Sequence, residues 1–145
     1  MTDDTYRWIE LTDGGHFEDL GAYEMVLRRC KQIIVVDASA DPKCQFEDLG
    51  NTLRKIEIDL GIPIRFDSLN MHAGPHPDNC YCAVATIDYK CADDDPDLDG
   101  QWLAGTLIYI KAAITGQEPP DIKQYSLTHD NFPHETTANQ FFNES

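Results

Sequence analysis

The spacing of apolar residues changes period several times along the chain, and each change marks an element. Trp8, Ile9 and Leu11 predict a short strand that runs into the turn Asp13-Gly14-Gly15, after a polar start, residues 1–7, expected to be disordered. From Leu20 the period lengthens. Leu20, Tyr23, Val26, Leu27 and Cys30 recur at helical spacing, with Glu18 and Asp19 near the start, where carboxylates favour the positive end of the helix dipole. Gln32 to Asp37 is a continuous β-branched run of the kind expected for a strand buried on both faces. A polar loop from Ala38 to Lys43 separates it from a second helical pattern, Phe46 to Leu60, carried by Leu49, Leu53, Ile56 and Leu60 and ended by Gly61.

Ile62 to Phe66 predicts a short strand whose Pro63 points to an edge or a strand start. The strand, helix, strand, helix, strand rhythm indicates an α/β layered fold in one domain, and connections of this kind favour parallel pairing. Asp67 to Asn79, with Gly74, Pro75 and Pro77, is a loop. Cys82–Tyr89 and Leu103–Ile110 then form two strand-like runs joined by an acidic connection, most simply a β-hairpin near residues 82–111. Pro119-Pro120 opens a short helix through Ile122, Tyr125 and Leu127, and Phe132-Pro133-His134-Glu135 leads to a last helical start at Thr136 or Thr137. The chain closes on Phe141-Phe142-Asn143-Glu144-Ser145 without a glycine or proline stop, and is expected to be cut there rather than finished.

Charge narrows the partners. With 11 basic and 26 acidic residues the chain carries a net charge of −15, which repels nucleic acid and anionic membrane surfaces. The local cluster Arg28-Arg29-Cys30-Lys31 lies at a predicted helix end, where cations complement the dipole. Five cysteines without a C-x-x-C pair, together with no signal peptide and no long apolar span, indicate reduced thiols and a cytoplasmic setting.

Several motifs fail on inspection. Cys80-Tyr81-Cys82, with His72 and His76 nearby, lacks the usual spacing of a zinc site. The acidic loop, residues 93–100, contains the opening of an EF-hand, but counting from Asp95 the twelfth position is Thr106 where a bidentate Glu is needed. No metal or cofactor is expected. Ser39 follows the β-branched run as a nucleophile would, yet Asp37 and Asp41 occupy the places where an elbow needs small residues, and no G-x-S-x-G occurs in the chain. His16, His72, His76, His129 and His134 are scattered, without the spacing of H-E-x-x-H.

The Asp13-Gly14-Gly15 turn is different, because its glycines allow backbone angles closed to other residues and let a carboxylate be aimed at a neighbour. Following a strand and leading through Glu18-Asp19-Leu20-Gly21 into a helix and the run Ile33 to Val36, it resembles the C-terminal part of a patatin-like phospholipase domain. Phe46-Glu47-Asp48-Leu49-Gly50-Asn51, Gly105 to Lys111 and Phe132-Pro133-His134-Glu135 resemble a bacterial branch of large patatin-like proteins, some with membrane segments ahead of the hydrolase region. The likeness covers residues 8–145.

That resemblance implies a partial α/β/α layered sheet and gives Asp13 the role of base in a Ser-Asp dyad, with Gly14 and Gly15 supporting the turn. His16 is the candidate contact to the turn or substrate. The substrate class would be a lipid or acyl ester, attacked by a serine that Asp13 deprotonates directly. The nucleophile and the glycine-rich oxyanion loop lie N-terminal to this Asp in the family, so the chain is expected to be an incomplete domain, inactive alone, that needs a missing N-terminal hydrolase portion. The parent protein would lie in the cytoplasm or at the cytoplasmic face of a membrane. Self-association through an exposed sheet edge is expected of such a piece. A noncatalytic α/β interaction module that keeps the turn for structure is the alternative.

Overall fold

The β-branched run emerges in a computed structural model of the chain, which describes residues 17–92, 104–136 and 138, as strand β1, Gln32–Asp37. It is preceded by helix α1, Ala22–Leu27, and followed by helix α2, Glu47–Leu60. Then come β2 (Ile64–Phe66), β3 (Cys82–Asp88), a 3-10 turn at Tyr89–Cys91, β4 (Ala104–Lys111) and helix α3 (Pro120–Thr128). The described residues thus form a mixed α/β fold of one four-stranded mixed sheet and three α-helices.

The sheet order is β1-β4-β3-β2. β4 pairs with β1 in parallel, Ile34 opposite Ile108 and Asp37 opposite Lys111. It pairs with β3 antiparallel, Val84 opposite Ile108, so the expected hairpin is present. β2 is an edge strand bound antiparallel to β3, which suits Pro63 just ahead of it, since proline cannot donate to a ladder. The parallel partner of β1 is therefore the distant β4 and not the next strand in the chain.

One face of the sheet is covered. Ile33, Val35, Ala83, Ala85, Ile87, Leu107 and Tyr109 point into a core shared with Ala22 and Val26 of α1, Leu49 and Ile56 of α2, and Ile62 and Met71 of the connections. Space there is tight at Gly105, where a Cβ would sit 2.8 Å from Cε2 of Tyr89 and 3.2 Å from the Cys30 carbonyl oxygen. Tyr89 donates its hydroxyl to that same carbonyl at 2.7 Å, and burial pushes its pKa up to about 12.

The opposite face is open among the described residues. β1 alternates exposed and buried along its length, with Ile34 66 % and Val36 68 % exposed, and Val84 of β3 is 44 % exposed. The expectation of a strand buried on both faces is corrected accordingly: among the described residues β1 is an edge strand, with alternate side chains exposed on one face. Its apolar run reflects residues that favour a pleated surface, which does not depend on both sides being packed.

The ends of the helices follow local rules. α2 starts where the Asp41 carboxylate accepts the backbone N–H groups of Gln45 and Phe46, both at 2.8 Å, and ends at Gly61 in the left-handed conformation, φ 67°. α3 starts at Pro120, whose missing N–H costs nothing in a first turn. No helix among the described residues is long and apolar enough to cross a membrane.

Candidate functional site at the carboxyl edge of the sheet

Both strands of the parallel pair end on a charge. Asp37 closes β1 and Lys111 closes β4, and their register places them opposite each other on the covered face. Lys111 Nζ lies 3.0 Å from Asp37 Oδ2, with both side chains 1 % exposed. Tyr109, one pleat back on β4, donates its hydroxyl to the same carboxylate oxygen. Asp37 Oδ1 accepts the backbone N–H of Ser39 at 2.8 Å, and Lys111 donates to Ser39 Oγ at 3.2 Å. The Tyr109 ring is held edge-on by Phe46 and Phe66, with centroids 6.4 and 6.2 Å away.

This geometry fixes the charges. Burial alone would raise the pKa of Asp37, but hydrogen bonds from Tyr109, Ser39 and Lys111 together hold it below the usual carboxylate value. Burial and the bond to Asp37 push the Tyr109 phenol far up. His134 reaches the cluster from the segment after α3: burial first, then Lys111, lower its pKa, opposed by Asp41, a hydrogen bond to the Ser39 backbone and Asp37.

Such an arrangement clamps the start of the β1–α2 loop, and it leaves Asp37 no spare role as a base. Ser39 is held on three sides: its hydroxyl oxygen accepts from the Lys111 ammonium, and its hydroxyl and backbone N–H both bond to the Asp37 carboxylate. Around the clamp the surface is concave. A depression of about 410 Å³ is lined by Asp19, Leu20, Val36, Asp37, Asp48 and Thr136, among others. A cleft of about 290 Å³ lies on the far side of Pro42, between His72, Ile114, Leu127, Phe132 and His134. In open α/β sheets ligands settle outside the carboxyl ends of the parallel strands, which is where both hollows lie.

Asp13, Gly14, Gly15 and His16 lie outside the described residues, as do the strand expected at Trp8–Leu11, the acidic loop 93–100 and Thr137. The residues that follow the Asp-Gly-Gly turn are placed. Glu18 Oε1 accepts from Leu20 N at 2.7 Å and from the Thr52 hydroxyl at 2.9 Å, which ties the entry of α1 to α2. Asp19 and Leu20 then line the same depression as Asp37.

The other candidates separate. The His72 and His76 rings lie 4.4 Å apart, while Cys80 and Cys82 are exposed free thiols, and no group of three or more His, Cys, Asp or Glu among the described residues is arranged to hold a metal ion. His129 stacks on Tyr125 with centroids 3.7 Å apart, as part of the α3 terminus. Sequence reasoning weighed Asp37 only as a flank of Ser39 and did not single out Tyr109 or Lys111. A usable signal was present: two apolar strands each end on a residue of opposite charge, which parallel pairing brings together.

Comparison of the chain with protein-family models, with curated proteins and with solved structures gave no match.

Proposed function

We propose that this chain is the C-terminal portion of a patatin-like lipid acyl hydrolase, contributing Asp13 as the base of a Ser-Asp dyad to a serine carried by an N-terminal portion. The observation that carries this reading is the position of Asp19 and Leu20, six and seven residues after Asp13, in the hollow at the carboxyl edge of the parallel pair. A base delivered by the loop that enters there would stand where α/β sheets present ligands. The outer edge of β1, unpaired among the described residues, is the surface on which a further strand of the N-terminal portion would pair. Ester cleavage would follow from the serine attacking the acyl carbonyl as its proton passes to Asp13, with water clearing the acyl-enzyme.

The test uses a p-nitrophenyl acyl ester. The chain alone should give no turnover above buffer, and a polypeptide joining it to a G-x-S-x-G portion should hydrolyse the ester and lose that activity with Asp13→Ala. Hydrolysis by the chain alone, abolished by Asp13→Ala, would overturn the shared-site reading.

A noncatalytic interaction module is the second reading, favoured by the clamp, whose every polar group is engaged in holding the fold. It is separated from the first by Asp13→Asn. Nearly unchanged stability fits the hydrolase portion, and a clear loss fits a turn whose carboxylate braces the structure.

A further inference from the structure

One buried side chain shapes the cleft between His72 and Phe132. Asn79 is 7 % exposed, and its Oδ1 accepts the backbone N–H of His72. Its two Nδ2 protons are shared among the carbonyl oxygens of His72, Gly74 and Ile114, at 3.1, 2.9 and 2.8 Å. Those three residues line the cleft, so the whole amide is committed to holding one wall. The facing wall is tied by its own bonds. Phe132 N donates to the His129 carbonyl at 3.0 Å and His134 N to the Asn131 carbonyl at 2.7 Å. Tyr125 meets the Phe132 ring edge-on, with centroids 5.1 Å apart. A cleft with both walls fixed internally is formed before a ligand arrives, and binding then carries little cost of ordering.

The lining states what fits. Pro42, Pro75, Ile114, Leu127 and Phe132 supply apolar walls around a volume of about 290 Å³, at the small end for organic ligands. Asp130 is the one carboxylate among the described residues that line the cleft, and none of them is lysine or arginine. Burial, then Lys111, hold His134 below its ordinary pKa, so this imidazole adds no positive charge at neutral pH. Lys111 itself is paired with Asp37 at 3.0 Å. The net charge of −15 raises the concentration of cations at the surface as a whole.

From this lining we propose that the cleft binds a small organic ammonium ion with an apolar ring, the ammonium on Asp130 and the ring against Ile114, Leu127 and Phe132. An anion would meet a carboxylate with no cation beside it. A neutral apolar molecule would take water from Asp130 and return no partner. The ammonium forms a charge-assisted hydrogen bond to Asp130, and a ring beside Phe132 adds an aromatic contact. A lysine side chain brings the same charge on a thin stem and leaves the apolar walls unfilled. The proposal does not rest on the hydrolase reading.

The test is a titration of the full chain with phenethylamine at neutral pH and about 0.15 M salt, followed by backbone amide resonances. Saturable shifts confined to the cleft, at His72, Ile114, Leu127 and Phe132, are expected. Hydrocinnamate, of similar size and opposite charge, should cause none, and Nα-acetyl-lysine methylamide should bind more weakly than phenethylamine. Asp130 is exposed, so Asp130→Asn keeps the fold and should weaken phenethylamine binding by about tenfold. No saturable shift, shifts spread over the acidic surface, equal binding of hydrocinnamate or of the lysine compound, or unchanged affinity in Asp130→Asn would each overturn the proposal.

Discussion

Replacing Lys111 by methionine keeps much of the side chain's length but leaves the Asp37 carboxylate, 1 % exposed, without its cation. Removing one partner of a buried pair costs about 3–5 kcal/mol, because an uncompensated charge remains inside. The urea midpoint of Lys111→Met should fall accordingly, and Asp37→Leu/Lys111→Met should recover part of the loss. Acid acts on the same carboxylate. Its folded pKa lies below 3.8, so the stability it contributes is complete above that value and drains as pH falls through the lower folded value. His134 adds a milder limb: its folded pKa lies below 6.5, so stability falls as pH drops from 6.5 through that lower value. Urea unfolding at a series of pH values should show this limb in the native chain and lose it in His134→Gln. At Gly105 the obstacle is steric. Gly105→Ala drives a Cβ to 2.8 Å from Tyr89, and overpacking of this kind costs about 1–3 kcal/mol, read as a lower melting temperature.

Among the elements, α2 was the most legible in the sequence, because a 3.6-residue period and a terminal glycine are both local signals. Gly61 holds φ at 67°, so Gly61→Ala should cost about 1 kcal/mol in thermal unfolding without altering the fold. The β3–β4 hairpin and the edge position of β2 were legible for similar reasons. What β1 shares with a fully covered strand is its composition, and composition does not record what lies against each face. The clamp was hidden for another reason. Asp37 and Lys111 are 74 residues apart, and only the insertion of β4 between β1 and β3 makes them neighbours. The Asp13 turn was visible as a motif, yet the role proposed for it depends on groups that a local pattern does not bring together.

For the whole molecule, charge and surface act in opposite directions. A net charge of −15 keeps copies apart at pH 7, while the outer edge of β1, which no strand among the described residues pairs, offers backbone to another chain. Sedimentation velocity should therefore find growing association as pH is lowered from 7 toward the isoelectric point near 4.4, where the repulsion vanishes. Strand order has a further consequence while the chain is being made. β1 leaves the ribosome well before β4, the only neighbour it has among the described residues, which begins at Ala104. Until Ala104 to Lys111 emerge, β1 lacks that neighbour, and its apolar run is then material for a chaperone before this pair can form.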